Sequence, residues 1–598
     1  METHDAFLLG CFTDCLKNLN NQDSQTDLEL YYRLQSLCYL NKFNEYNQLI
    51  NSFEENPEAK QFLIKTLELD IANIDIITKM LRFSFKLFAF DYSPKVCGEF
   101  KLFSNNKTYC DNFNELLKEF NEIQDKIQWG KILKNSFFVA VLLDVFSYIL
   151  GISETFFEKF GENKSIAFAC LDIKRKIFSL LQEIEQYYSN DYNNEENKEE
   201  SIIWKSLISY LIGDVYYYYS GFKFKEILLY EQSLSLKPNV FALDRILNYY
   251  NDDKKEEVAL SYFKNFEKTI NSCKSLIETE YYPLLGSIAE IDGVGFDKNE
   301  IYERIISFIE NLESKTIAES YPYYNFALLK QEKNNFKDAE NYLKKAKKIL
   351  EETCELSNIS ELGQKDKEIL IYFIDDVRDY LYELCKCQIN QKNKISYEST
   401  IKILENVKSF LPNGRKTTQT DYDITFLESK IADSKKDYKK LVKTIEDFLN
   451  NKENYISKKE KSELKSRLAY GYLKLQDFEK YNSLIKEAIE LDHENKFALK
   501  LISMVTQQTE FLSKTHIKEI ALGFIIAFVI LLVAVGLSCI SYRYYKDPDS
   551  RILITGFIVF SLIIGIPYIK PIIKKLSIKG IGEIEFLPSK ANKEANIY

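Results

Sequence analysis

The sequence predicts an all-α fold: an irregular solenoid of helix pairs that ends in a hairpin of two transmembrane helices. Three observations predict it. Through residues 1–500, Leu, Ile, Phe and Tyr recur every three or four positions among Lys, Glu, Asp and Asn, the period of an amphipathic helix. Glycine and proline are scarce, 19 and 10 in 598 residues, too few for a β fold with a turn every ~8–12 residues. Two long runs near the C-terminal end carry no charge at all.

Composition narrows the class. With 45% apolar and 28% charged residues the chain is globular rather than disordered, and its length suits about three to five domains. Three histidines in 598 residues argue against His-based metal sites and His acid–base chemistry. The formal charge of −10 is uneven: residues 501–598 hold 11 Lys/Arg and 7 Asp/Glu, so residues 1–500 carry the deficit. An acidic body argues against nucleic acid, whose phosphates need a basic face. A basic end beside apolar runs suits anionic lipid headgroups. The eleven cysteines include no C-x-x-C pair, and they read as ordinary reduced, buried thiols of a cytosolic body. The opening METHDAFLLGCF does not read as a secretory signal.

Taken in order, residues 1–188 form an N-terminal helical region with one faint helix-pair repeat near Phe43. Within it, Ser136 to Ile152 is strongly apolar but carries Asp144 at its middle. A lone charge at mid-bilayer costs about 2.5–3.5 kcal/mol, so the expectation is a buried helix. Residues 189–200, SNDYNNEENKEE, read as a polar linker, and residues 201–500 as the main repeat region. Residues 501–519 form a juxtamembrane helix. Residues 520–542 (IALGFIIAFVILLVAVGLSCISY) are long enough to cross the ~30 Å hydrocarbon core. Residues 543–551 are a turn, residues 552–569 a second span, and residues 570–598 a basic tail with a short strand-like stretch.

The repeats are legible in three segments. In Tyr321 to Leu350, Phe326 and Ala327 mark a first helix, a turn follows at Lys333–Asn335, and Phe336, Ala339, Leu343, Ala346 and Ile349 mark a second. In Arg467 to Asn495 the matching residues are Ala469, Tyr472, Phe478, Ala488, Ile489 and Leu491. In Ile212 to Asn239 they are Gly213, Tyr216, Phe224, Ser233, Leu234, Leu236 and Pro238, with one extra residue allowed at the turn. Fainter copies centre on Phe43, Tyr397 and Tyr438. Small residues such as Gly213, Ala327, Ala339, Ala346, Ala469 and Ala488 are expected where two helices cross closely.

This pattern resembles the tetratricopeptide repeat. The turn aromatics Tyr397, Tyr438 and Phe478 lie 41 and 40 residues apart, against the family's shorter period, and Phe336 to Tyr397 leaves room for an extra helix. The resemblance implies a stacked solenoid whose groove binds a protein or peptide partner, without catalysis. In one subclass of the family an Asn of the first helix helps clamp a peptide carboxylate. Asp214, Leu328 and Tyr470 stand at that position here, so that mode is not expected.

No P-loop, nucleophile elbow, zincin or dinucleotide-binding motif is present, and no catalytic residue, metal ligand or cofactor is expected. Residues 1–200 leave room for an enzyme that carries none of these signals. The expected function is a membrane-anchored scaffold or adaptor, which holds a partner protein at the cytosolic membrane face. An alternative on the same sequence is a bacterial defence or cell-death effector, in which the repeats sense a partner and the hairpin oligomerises to disrupt the membrane. Small residues four apart in the two spans, such as Gly523 and Ala527, suit close helix approach and leave homo-oligomers open. Lys500, Lys514 and Lys518 before the first span, and Lys570, Lys574, Lys575, Lys579 and Lys590 after the second, outweigh Arg543, Lys546 and Arg551 in the turn. By the positive-inside rule both termini are expected in the cytosol.

Overall fold

The computed structural model describes residues 2–505 except 21–25, 104–106, 128–132, 191–198, 220–222, 271–275, 292, 294, 355–363 and 412–414. Among these residues the regular structure is helical, with no strand. Most of the polar stretch 189–200, both membrane runs, the basic tail and the flanking Lys514, Lys518, Arg543, Arg551, Lys570, Lys574, Lys575 and Lys579 lie outside the described residues. The chain divides into two compact units. One spans Met1–Gln391 with Ile395–Phe410; the other takes Lys392–Lys394 and the chain from Leu411 onward.

Helical hairpins recur in both units through one turn design. Asn41, Asn334, Lys436 and Gln476 each adopt a left-handed backbone, with φ between 53° and 65°. Around each, two amide bonds close the preceding helix: Asn334 N–H reaches Gln331 O at 2.8 Å, and Asn335 N–H reaches Lys330 O at 2.9 Å. An aromatic opens the following helix at all four, and at three of them the residue before it caps that helix. Asn335, Asp437 and Asp477 accept amides of their own first turns, and Phe336, Tyr438 and Phe478 start the helices Phe336–Thr353, Tyr438–Lys452 and Phe478–Leu491. Phe43 likewise opens Phe43–Glu55. The Ile212–Asn239 copy departs from this. Its second helix begins at Lys223, so Phe224 is the second residue, rotated by about 100° from the expected place, and it is 74% exposed.

A second recurring device was not visible in the sequence. Ser206 and Ser233 exchange bonds across the helix pair, and Asn239 donates to both hydroxyls at 3.1 Å while capping the next helix at Ala242. In the other unit Ser462 donates to Ala488 O at 2.7 Å. Asn495 donates to Ser462 at 2.7 Å and caps at Ala498. One small polar knot thus ties three consecutive helices in each unit.

In the first unit, segments far apart in sequence meet. Thr3–Leu8 and Phe12–Asn20 dock through Gly10, whose carbonyl accepts from Glu280 N–H at 2.8 Å. A β-carbon on Gly10 would fall 2.4 Å from Thr279 Oγ1, and its φ is +69°, so only glycine fits. Asn41 donates to the buried Glu319 at 3.0 Å, and Tyr372 donates to Asp91 at 2.5 Å. At the centre runs Ser136–Phe160, a core helix as expected. Of residues 136–150, all are buried except Asp144 and Tyr148. It is the one described helix long and apolar enough to cross a membrane, and protein packs around it.

Candidate functional site

Asp144 and Tyr148 are one turn apart, and Gly151 and Thr155 continue the same partly exposed stripe of an otherwise buried helix. Side chains from several other helices of the first unit gather along that stripe, and together they are termed the inner face. Asp144 Oδ2 accepts from Tyr31 Oη at 3.3 Å and from Gln35 Nε2 at 2.7 Å, both on Asp27–Tyr39. The Tyr148 ring meets Phe88 edge-on at 6.1 Å, and Phe88 lies 5.3 Å from Tyr92, both on Ile71–Tyr92. The Tyr218 ring covers Gly151, where a β-carbon would stand 3.2 Å away. Beside it, Arg245 grips Asp214 through two bonds of 2.8 and 3.0 Å. Tyr210 and Tyr230 also donate to Asp214, at 3.0 and 2.9 Å. The Arg245 guanidinium lies 5.1 Å over the Tyr217 ring.

These side chains keep contact with solvent, yet protein surrounds them. Tyr92, Tyr148, Tyr218 and Tyr282 are only partly buried and Tyr321 is 39% exposed. Burial nonetheless pushes the phenols of Tyr92, Tyr148, Tyr282 and Tyr321 well above their ordinary range, and that of Tyr218 up to about 12. Burial likewise pushes Asp144 up to about 8 and Asp91 up to about 6. Asp376 rises to about 6, by burial and then by the nearby Asp379. Lys159 works against the rise at Asp376, whereas among the described residues no Lys or Arg pairs with Asp144 or Asp91.

The raised Asp144 carries a prediction. The folded protein keeps this proton up to about pH 8, whereas an unfolded chain releases it near pH ~4. Its contribution to stability is therefore full below about pH 4 and is lost as pH rises to about 8. Asp144→Asn should flatten the fall of melting temperature between about pH 5 and pH 8 and raise it at the upper end. Parallel pH profiles for the two proteins would refute this assignment.

The residues singled out in the sequence lie elsewhere. Ala327, Ala339 and Leu343 share a buried cluster with Leu384 and Cys387, against which Phe336 packs. Ala346, Ala469 and Ala488 are fully buried, and Tyr472 nearly so. Gly213 faces the Tyr230 ring, where a β-carbon would stand 2.6 Å away. Tyr216 is buried and donates to Glu185 at 2.7 Å. Ser233 belongs to the polar knot, while Pro238 and Phe478 are half-buried. None of these packing positions supplies an inner-face side chain. A separate cavity of about 310 Å³, floored by Leu16, Leu37, Leu40 and Leu49, also uses none of them.

The inner face was missed because its residues come from many helices. The available signal was Asp144 and Tyr148 at helical spacing in an apolar run. The described cysteines are free thiols, with Cys11, Cys15, Cys170, Cys354, Cys385 and Cys387 buried. No group of three or more His, Cys, Asp or Glu among the described residues is placed to hold a metal ion.

No family model matches this chain, and no curated protein matches it. Solved structures with related helix arrangements include the APC/C hetero-tetramer Cut9–Hcn1, at 13% identity, 84% of this chain, 82% of that one and a TM-score of 0.30. A Rap protein complexed with competence and sporulation factor matches at 13% identity over 70% of this chain and 98% of its own, with a TM-score of 0.35. Yeast Tom70 matches at 11% identity over 86% and 88%, with a TM-score of 0.28. All three scores fall below 0.5, so the helix pairing rests on the chain's own turns, caps and packing.

Proposed function

We propose that this chain is a membrane-anchored, tetratricopeptide-like scaffold whose first unit takes up an extended segment of a partner protein along its inner face. The observation that carries the reading is the Asp144–Tyr148 stripe, partly exposed on a helix that is otherwise core, with tyrosines from neighbouring helices beside it. Tyrosine offers a large, rigid contact area at small entropic cost, and its hydroxyl can bond a peptide backbone. The two charge-free runs at 520–542 and 552–569 support a hairpin anchor. The lysines at 514, 518, 570, 574, 575 and 579 support both termini on the cytosolic side.

Two experiments test the two halves. A random dodecapeptide display library is panned against the full-length protein in detergent micelles. Enriched peptides should lose binding to Tyr92→Ser/Tyr148→Ser/Tyr321→Ser. No enrichment, or binding indifferent to the triple change, would reject the inner face as the binding surface. Alkaline carbonate should leave the chain in the membrane pellet; full extraction would remove the anchor.

A further inference from the structure

We propose that the inner face receives a Lys or Arg side chain of the bound segment, with its cation against Asp144 and its stem along the Tyr148 ring. This rests on the peptide-binding role proposed above and adds the chemistry of the segment.

The geometry at Asp144 points to a cation. Both of its hydrogen bonds, from Tyr31 and Gln35, end on Oδ2. Oδ1 accepts from no described residue, and the side chain is only partly buried. An acid in the middle of an apolar helix is costly unless its charge is neutralised or bonded. Here the protein supplies two neutral donors and leaves one oxygen open. The cation in the neighbourhood, Arg245, is committed to Asp214 by both of its bonds. The surrounding walls are phenol rings, which attract a cation to their faces. Asp91 adds a further carboxylate, which accepts from Tyr372 and, among the described residues, pairs with no Lys or Arg. Burial holds Asp144 at about 8, the state of a carboxyl that lacks a counter-ion. A bound cation would draw Asp144 into its charged form, its proton passing to solvent, whereas an acidic segment would oppose that ionisation and an apolar one would leave the open oxygen without a partner.

The test uses four display libraries, in which one central position is fixed as Lys, Arg, Glu or norleucine and the rest are random. They are panned against full-length protein in detergent micelles and against two variants. The wild type should enrich the Lys and Arg libraries about tenfold over the other two, which corresponds to ~1.4 kcal/mol. Asp144→Asn, close in shape and still able to bond Tyr31 and Gln35, should erase that preference. Tyr148→Leu should reduce it by about two- to fivefold. Melting curves of both variants confirm that they fold. Equal enrichment of all four libraries by the wild type, or an undiminished preference in Asp144→Asn, overturns the inference while leaving the peptide-binding role standing. Failure of every library to enrich overturns both.

Discussion

Arg245→Leu is expected to destabilise the first unit by about 3–5 kcal/mol, because it strands a buried carboxylate. Asp214 accepts four bonds, two from Arg245 and one each from Tyr210 and Tyr230. Only Arg245 among these brings positive charge, and the two side chains are 23% and 10% exposed. Removing it leaves an anion held by two phenols in a poorly solvated site. The double change Asp214→Leu/Arg245→Leu should recover much of the loss, since exchanging a whole buried pair for apolar groups is often neutral. Thermal unfolding of the single and double variants measures both. A single variant that melts with the wild type would mean that water reaches Asp214 freely.

Gly213→Leu should cost about 2–3 kcal/mol. A β-carbon at this position would stand 2.6 and 2.9 Å from two carbons of the Tyr230 ring, so Tyr230 must move. Tyr230 is almost wholly buried and its hydroxyl bonds Asp214 at 2.9 Å, so the shift also loosens the ion pair. The cost of Gly213→Leu and Arg245→Leu combined should therefore fall short of the two separate costs, as for neighbours that share a partner. Strict additivity in unfolding experiments would show that the ring relocates without disturbing Asp214.

Much of the helical fold was legible because period and turn chemistry act locally. The aromatics Phe336, Tyr438 and Phe478 marked real helix starts, since each follows a left-handed residue and a capping side chain. Scarce glycine did not hide these turns: Asn, Lys and Gln adopt the left-handed position at a cost the surrounding packing absorbs. Phe224 misled because one residue of offset turns a helical side chain by about 100°. Small residues such as Ala339 and Ala488 told of crowding, because volume is limited wherever two helices cross. The inner face could not be read in the same way. Asp144, Tyr92, Tyr218, Arg245 and Tyr321 come from five helices, and only the closure of the unit through Gly10, Asn41 and Tyr372 relates them. Asp214 was read as a departure from a family position, and its bond to Arg245, 31 residues on, is a tertiary fact. Asp144 came nearest: the same charge that argued against a membrane span marks the open stripe of the core helix.

The central claim is that a partner segment lies on the inner face. Site-directed photo-crosslinking tests it most directly, in the full-length protein within its own membrane. A photoreactive phenylalanine analogue replaces Tyr148 or Tyr321 on the inner face, or Phe168, which is 73% exposed and contributes nothing to it. Irradiation should give a discrete polypeptide adduct at positions 148 and 321, lost when Tyr92 is also changed to Ser, and none at position 168. An adduct at position 168, with none at 148 or 321, would contradict the account.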